Sequence, residues 1–403
     1  MAEGGNIMKI IAIKMTPVNV PMEAPLRWSL GVEIGTSRTI VEVLTDEGIV
    51  GLGETYGGEP TVRALESVKH MIVGNDPFQF EKMLKKLQVF CISYETLVSP
   101  HVIAAIDMAC LDIMGKVLKR PVCDLIGGRY RDEIAFSAYL FFRYTSGDGI
   151  GGEDTPERLV EYTEMIVQKH GFTDLKVKGG VLPPREEIRC VKLLRERFPD
   201  YQIRFDPNGA WSVATSINAL RQMMEFNLEY AEDPTWGIEG MGLVRRDVPV
   251  PLATNMCVIN FDQIPLAVRT RSIDIILSDV HYWGGLANNK KLAGICETFQ
   301  LGLGMHSDRE LGISTAAQLH LAAATPYMIY APDSHYHHQT DDIITEPFQY
   351  LRGGFKVPAG PGLGVEIDPE RLAKYARLYQ EKGEAGEFLD PHRPEWIPTL
   401  PLW

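Results

Sequence analysis

The stretch DLKVKGG, residues 174–180, has the composition of a β-strand, yet it carries Lys176 and Lys178 two residues apart. Side chains alternate between the two faces of a strand, so both ammonium groups project from the same face. A solvent-facing pair would need no explanation, whereas two cations on the inner face of a barrel need compensating groups. The meaning of this pair therefore depends on the fold that surrounds the strand.

Short apolar stretches of the same kind recur along residues 134–340, and helical segments such as REEIRCVKLLRERF fill most of the gaps. One precedes DLKVKGG and six follow it: IAFSAYLFF, QIRFDPN, LEYAEDP, VPLATN, IDIILSD, LGLGMHS and YMIYAPD. Eight parallel strands with crossover helices are typical of an α/β fold, the (β/α)8-type TIM barrel. The sequence therefore predicts such a barrel over residues 134–340.

Residues 1–133 have a different pattern. MKIIAIKMTPVNV, RTIVEVL and IVGLGETY predict an antiparallel sheet, and helices are expected near 60–73, 78–89 and 102–118. This order predicts an α+β N-terminal capping domain. Residues 341–403, with a short helix in PERLAKYARLYQEKG, lie beyond the eighth strand and are expected to pack back on the capping domain and complete it.

Composition limits the functional classes. The chain has 403 residues, is 45% hydrophobic and carries a net charge of −13, which disfavours nucleic acid or an anionic membrane as partner. It has no long apolar run and no signal-peptide pattern at its start. The six cysteines are far apart, without CxxC, so we expect buried free thiols and, by default, a cytoplasmic location. They are Cys91, Cys110, Cys123, Cys190, Cys257 and Cys296.

The predicted barrel strands end in an unusually polar set of residues, and active sites of such barrels lie at those ends. The set comprises Lys176, Lys178, Asp206, Asn208, Glu232, Asp233, Asn255, Asp279, His306, Asp333 and His335. Taken singly, each has a structural explanation, such as a helix N-cap for an Asp. Together they would repel one another or stay desolvated unless something compensates them.

Three of these residues come from neighbouring strands and offer only oxygen ligands: Asp206, Glu232 and Asn255. Hard oxygen ligands without Cys or His suit Mg2+, which typically keeps positions open for water or substrate oxygens. The sequence therefore predicts a magnesium site at the ends of the third, fourth and fifth strands.

Lys178 and His306 are predicted on opposite sides of the same ring, on strands two and seven. A desolvated lysine suits a general base, and Asp279 is placed to fix the tautomer of His306 by a hydrogen bond. Two bases facing each other across a metal-bound carboxylate are suited to removing the proton next to that carboxylate.

These residues resemble the enolase superfamily, within it the mandelate racemase type, and most closely the glucarate dehydratase group. The resemblance rests on GIVGLGETYGG, GFTDLKVKGGV, FDPNGAW, YAEDP, PLATNM, DVHYW, MHSD and PGLGVEID. It implies Mg2+ on Asp206, Glu232 and Asn255, with Lys178 and His306 as the acid/base pair. It also implies Asp279 as the partner of His306, and Lys176 as a carboxylate contact that lowers the pKa of Lys178.

The resemblance further implies dehydration of an acid sugar to a 2-keto-3-deoxy acid, and a homo-oligomer, since members often form dimers or octamers. Predicted substrate contacts are Asn208, Tyr139, Phe141, His335, Ser307, Asp308 and Arg38. The cap segment RWSLGVEIGTSRTI lacks the His and Asn that glucarate dehydratases carry, which leaves Arg27, Arg38 or Glu33 to meet the far end of the substrate. Asp308 stands where an Asn is usual. Both a six-carbon diacid and an aldonate therefore stay open.

Two other functions remain open from the sequence. An epimerase or racemase would use the same opposed bases without losing water, and a paralogue could keep the barrel and bind a ligand without turnover. A phosphate-binding barrel enzyme is disfavoured, because HSDRELG and DSHYHHQTDD lack a glycine-rich backbone cradle.

Overall fold

The computed structural model describes residues 7–90, 98–385 and 390–403. The chain begins with an antiparallel sheet of three strands, β1 (Ile10–Trp28), β2 (Gly31–Thr45) and β3 (Val50–Tyr56). Helices α1 (Glu59–Ile72), α2 (Phe80–Phe90), α3 (Val98–Leu118) and the short α4 (Val122–Leu125) follow. The predicted antiparallel sheet and its three helices are confirmed.

Helix α3 lies directly on β3 because two glycines of that strand leave room for its backbone. A Cβ atom at Gly53 would overlap the carbonyl oxygen of Ala105, and one at Gly51 would overlap that of Ala109. The two glycines are two residues apart and so face the same side of the strand. The sequence Gly51-Leu52-Gly53 therefore allows α3 to pack closely on β3.

The second unit is a nearly closed barrel of eight parallel strands in the order β11-β10-β9-β8-β7-β6-β5-β12. The strands are β5 (Ser137–Phe141), β6 (Asp174–Lys178), β7 (Gln202–Asp206), β8 (Tyr230–Glu232), β9 (Leu252–Thr254), β10 (Ile275–Ser278), β11 (Gly302–Met305) and β12 (Asp333–Ser334). The intervening helices are α5 (Pro156–His170), α6 (Pro184–Arg197), α7 (Val213–Met223), α8 (Ile238–Asp247), α9 (Ile264–Thr270), α10 (Leu286–Phe299) and α11 (Gly312–Ala323). Because the last strand pairs with the first, the (β/α)8 prediction is confirmed.

Two of the predicted strands differ in detail. IAFSAYLFF is divided: β4 (Glu133–Ala135) pairs antiparallel with β13 (Gly354–Lys356), and only β5 belongs to the barrel. YMIYAPD is not a strand, since β12 begins at its last residue, Asp333. Pro332 precedes it and has no amide hydrogen to donate to a neighbouring strand, although its carbonyl oxygen accepts from the amide of Ser137.

Two buried carboxylates of the N-terminal unit hold it on the barrel. Glu54 of β3 accepts hydrogen bonds from the amides of Leu311 and Ser314, both at 2.9 Å, at the start of α11. Asp107 of α3 accepts from the amide of Leu286 at 2.7 Å, at the start of α10. Carboxylates are favoured at helix N-termini, where amide hydrogens lack partners.

The C-terminal segment returns to the N-terminal sheet. Helix α12 (Pro369–Lys382) packs against β1. Nδ2 of Asn19 donates to the carbonyl oxygen of Gly383 at 3.3 Å, and the amide of Ala385 donates to Oγ of Ser37 at 2.7 Å. The boundaries 1–133, 134–340 and 341–403 stay a prediction.

The described cysteines are all free and buried: Cys110, Cys123, Cys190, Cys257 and Cys296. Cys91 lies outside the described residues. In the part of the chain that the structure describes, no helix combines the length and apolar character needed to cross a membrane.

Candidate active site

A cavity of about 460 Å³ lies between the N-terminal unit and the carboxyl ends of the barrel strands. The part of its lining that we call the cap wall comprises Trp28, Leu30, Glu33, Tyr56 and His101. The part that we call the barrel wall comprises Tyr139, Phe141, Lys178, Asn208, Trp236, Asn255, Met256, Ile259, Tyr282, His306, Ser307, Asp308 and His335. Nearly all predicted substrate contacts are therefore brought to one cavity.

The three predicted magnesium ligands lie side by side beneath this cavity. Asp206 ends β7, Glu232 ends β8 and Asn255 directly follows β9, and all three are buried. Nζ of Lys176 lies 2.6 Å from Oε2 of Glu232 and 3.6 Å from Oδ2 of Asp206, so one ammonium group touches both carboxylates. The strand order places the oxygen ligands together as the sequence predicted.

The electrostatics of these residues fit a cation. Burial raises the pKa of Glu232 to about 8 although Lys176 opposes the rise, and the charges of Asp206 and Asp333 raise it further. For Asp206, burial acts in the same direction, but Lys178 and Lys176 outweigh it and lower its pKa. Asp206 and Glu232 share the ammonium group of Lys176, so further positive charge would favour both carboxylates. A divalent cation would supply it.

The amide of Asn255 provides a second sign of fit. Its Oδ1 lies 3.2 Å from Oε1 of Glu232 and 3.0 Å from Oδ2 of Asp233, so it faces carboxylate oxygens, which cannot donate to it. If the amide were rotated by 180°, Nδ2 would donate hydrogen bonds to both carboxylate oxygens. In the present orientation, Oδ1 could instead bind a cation that lies between it and these oxygens. Asp206, Glu232 and Asn255 therefore suit an oxygen-coordinated ion such as Mg2+.

Asp233, to which the sequence assigned no role, positions Asn255. Its Oδ2 accepts from the amides of Asn255 at 2.9 Å and Met256 at 3.2 Å, and its Oδ1 accepts from Oγ1 of Thr254 at 2.6 Å. Its backbone has a positive φ of 36°, a conformation that few residues other than glycine adopt. The sequence feature that could have indicated this role for Asp233 is that it is a second carboxylate directly after Glu232.

Lys178 reaches the cavity from the end of β6. Its Nζ lies 2.8 Å from Oδ2 of Asp206 and contacts Oδ1 of Asn208. Asn208 is held in place because its amide donates to Oδ1 of Asp206 at 2.9 Å. The ammonium group thus lies between the cavity and a predicted metal ligand.

His306 reaches the cavity from the opposite side, after β11. Its Nδ1 lies 3.0 Å from Oδ2 of Asp279, whose Oδ1 accepts from the amides of His281 and Tyr282. Burial acts to lower the pKa of His306, but the hydrogen bond and charge of Asp279 outweigh it and raise this pKa. Asp279 is thus fixed by backbone donors and supports a protonated imidazole, whose Nε2 lies 3.0 Å from the side-chain amide of Asn255.

Four further predicted contacts form one packed corner of the barrel wall. The ring of Tyr139 lies 4.6 Å from the rings of both Phe141 and His335. Oγ of Ser307 lies 2.9 Å from Nδ1 of His335 and donates to Oε2 of Glu310 at 2.6 Å. Burial lowers the pKa of His335 well below its usual range, so this corner is uncharged.

Two residues that were predicted to contact the substrate, Lys176 and Arg38, do not line the cavity. Lys176 is fully buried beneath it, and Asp333 binds its Nζ at 2.6 Å in addition to Glu232. Burial disfavours its charge, but the carboxylates outweigh this and raise the pKa of Lys176. Arg38 lies behind the cap wall, where Glu54 binds its Nε at 2.9 Å. Carboxylates of the protein engage both cations, and the substrate contacts expected of Lys176 and Arg38 stay predictions.

Asp279, His281 and Glu310 form another group whose ligand atoms lie within 4.8 Å of one another. Their oxygens are already engaged, since Oδ2 of Asp279 faces His306 and Oε1 of Glu310 accepts from the amide of Asp308 at 2.9 Å. The guanidinium of Arg38, 3.0 Å from Nε2 of His281, adds positive charge there. The better metal site is the set of Asp206, Glu232 and Asn255, which we call the oxygen trio.

Comparison with known proteins shows the family. Residues 10–127 match the mandelate racemase / muconate lactonizing enzyme N-terminal domain, and residues 158–371 match the family described as enolase C-terminal domain-like. A probable glucarate dehydratase from Streptomyces coelicolor is 37% identical over 98% of this chain and 99% of its own length. The chain belongs to the enolase superfamily, which is a family of enzymes.

Two other relatives carry the names of a racemase and of a second dehydratase. An N-succinyl-L-Arg/Lys racemase from Bacillus cereus is 28% identical over 91% of this chain and 97% of its own, and a D-xylonate dehydratase from Haloferax volcanii is 26% identical over 82% and 83%. An enolase from Thermobispora bispora, solved with magnesium and formate, superimposes with a TM-score of 0.93 at 38% identity and covers 98% of this chain and 100% of its own.

Proposed function

We propose that this protein is a Mg2+-dependent dehydratase of an acid sugar, which removes the proton α to the carboxylate and eliminates the β-hydroxyl to give a 2-keto-3-deoxy acid. The observation that carries the proposal is that Lys178 and the Asp279-supported His306 both line one cavity above the oxygen trio. When bound, Mg2+ supplies positive charge that stabilises the negative charge developing on the substrate carboxylate.

Lys178 is the proposed base. It takes the α-proton, and the electron pair of the broken C–H bond forms a double bond between the α and β carbons. His306, kept protonated by Asp279, gives its proton to the β-hydroxyl as the C–O bond breaks, so that water leaves. The resulting enol then tautomerises to the 2-keto acid. Substrate stereochemistry could exchange the two roles.

The relatives support both the proposed reaction and the proposed metal ion. The probable glucarate dehydratase and the D-xylonate dehydratase are named for the proposed reaction. The solved structure with magnesium supports the proposed ion. The racemase relative supports the second candidate, epimerisation or racemisation, because two groups on opposite sides of the α-carbon can exchange its proton without loss of the hydroxyl.

The test is a screen of mono- and diacid sugars with the Mg2+-loaded protein, assayed for 2-keto-3-deoxy product with a carbonyl-trapping reagent. The proposal predicts product from at least one acid sugar, and no product from Lys178→Ala or His306→Ala. Epimeric acid without keto product would favour the second candidate. Product formation that survives both substitutions would overturn the proposed mechanism.

A further inference from the structure

The cap wall has no cationic group for the far end of a substrate. Of its five residues, Trp28, Leu30 and Tyr56 are apolar or aromatic, and Glu33 carries a carboxylate. The fifth, His101, is neutral, since burial lowers its pKa to about 3. This wall is therefore net negative, although it covers the cavity opposite the predicted metal ligands.

The neighbouring part of the barrel wall also consists of apolar or aromatic side chains and a carboxylate. Trp236, Met256 and Ile259 follow β8 and β9, and Tyr282 follows β10. Asp308 adds a second carboxylate, and its pKa is lowered because Arg309, His306 and Tyr56 together outweigh burial. Among the described lining residues, the groups that favour positive charge are Lys178 and His306, which belong to the reaction end, since burial lowers the pKa of both His101 and His335.

Nearby cations are already engaged. Nη2 of Arg309 lies 2.9 Å from Oδ1 of Asp308, and its Nε lies 3.8 Å from Oε2 of Glu33. Arg38 is bound by Glu54, and Arg27 does not line the cavity, since its guanidinium lies over the ring of Tyr144, 4.7 Å from its centre. Outside the described residues, segments 1–6, 91–97 and 386–389 contain no Lys, Arg or His. These segments therefore cannot supply a side-chain cation either.

We infer that the substrate is a monocarboxylic polyhydroxy acid whose far end is uncharged, an aldonate rather than an aldarate. This inference rests on the proposed function, because it names the substrate class of the same site. A second carboxylate would lie against Glu33 and Asp308, two carboxylates that already share the one guanidinium of Arg309, and like charges in a buried site are strongly unfavourable. Hydroxyl groups can instead donate to Glu33, while C–H faces pack on Trp28, Trp236 and Tyr282.

Calorimetric binding to the Mg2+-loaded protein tests the inference with matched pairs of acids, such as gluconate and glucarate, which share configuration and differ at the last carbon. The monoacid of the pair that binds best should bind at least about tenfold more tightly than its diacid. Leu30→Arg should remove this preference because it adds a cation to the cap wall, whereas Leu30→Gln should keep it. Glu33→Gln should weaken the preference, and Glu47→Gln, in the exposed turn after β2, should not.

The outcomes separate the inference from the proposed function. A wild-type protein that dehydrates diacids, or binds them as tightly as the matched monoacids, would overturn the inference and leave the dehydratase standing. Monoacid preference without 2-keto product would overturn the dehydratase and leave the inference standing. Failure of every pair to bind, or an unchanged preference in Leu30→Arg whose melting temperature matches that of Leu30→Gln, would also overturn the inference.

Discussion

Oδ2 of Asp279 lies 3.0 Å from Nδ1 of His306, and the two residues come from neighbouring strands of the barrel. Both are buried, so water does not screen the contact. The carboxylate fixes the imidazole tautomer and raises the pKa of His306. His306 is thereby poised to give a proton through Nε2.

Asp279→Asn should therefore lower kcat by about 100-fold or more, since the imidazole loses both its charge partner and its fixed tautomer. The pKa of His306 should fall, so the alkaline limb of the kcat–pH profile should move to lower pH. Steady-state kinetics across pH check both effects. A kcat within twofold of wild type would contradict this account of the pair.

Asn255→Ala should weaken Mg2+ binding by more than the about 10- to 100-fold that loss of an outer partner of a metal site causes. The reason is that the amide oxygen is a proposed ligand facing Glu232. Titration calorimetry with MgCl2 measures this directly. Asn218→Ala, an exposed change on α7, is the matched control and should bind Mg2+ as wild type does. Equal affinity in both variants would argue against the oxygen trio.

Gly53→Ala should destabilise the protein by about 1–3 kcal/mol or more, because the new methyl group overlaps the carbonyl oxygen of Ala105 and pushes α3 from β3. Gly294→Ala, inside α10 with open space around it, should be neutral or stabilising by up to about 1 kcal/mol. Melting temperatures of the two variants should therefore move apart. A Gly53→Ala protein as stable as wild type would show that the close contact is absent.

The buried Asp107 should make stability depend on pH. Burial raises its pKa from an ordinary value of 3.8 to about 7, although the amides of Leu286 and Ala287 oppose the rise. The folded state therefore keeps this proton to a higher pH than the unfolded chain. The contribution of Asp107 to the free energy of unfolding should fall as pH rises from about 4 to about 7, by about 1.4 kcal/mol for each unit of pKa difference.

Melting temperatures of wild type and Asp107→Asn measured between pH 4.5 and 8 check this dependence. The wild type should lose stability relative to Asp107→Asn as pH rises, because an amide cannot ionise. Asp132→Asn, an exposed change, should follow the wild type. Parallel curves for wild type and Asp107→Asn would contradict the prediction.

The barrel strands and the polar residues at their ends were predictable wherever the local sequence pattern is that of a strand. The alternating strands place Lys178, Asp206 and Glu232 at successive strand ends, and parallel order brings strand ends together. The eighth strand was not predictable in the same way. YMIYAPD is apolar enough for a strand, but Pro332 and the pairing available beside Ser137 confine β12 to two residues.

Side-chain partners were the least predictable part of the site. The sequence could not show that Asp333 would hold Lys176 beneath the cavity, or that Glu54 would hold Arg38 behind the cap wall. The first contact joins residues 157 positions apart in the chain, and the second depends on how β2 and β3 pair. The role of Asp233 was likewise not predictable, because its hydrogen bond to the backbone of Asn255 requires the folded loop.

Exchange of the α-proton tests the central claim, that Lys178 and His306 act on a carboxylic acid in this cavity. The Mg2+-loaded protein would be incubated in D2O with its best-bound acid sugar and followed by proton NMR. The account predicts that recovered substrate gains deuterium at its α-carbon, or that the 2-keto-3-deoxy product gains it at C3, the former β-carbon, and that neither does in the folded double variant Lys178→Ala/His306→Ala. Product that forms without deuterium at C3, or exchange that persists in the double variant, would contradict it.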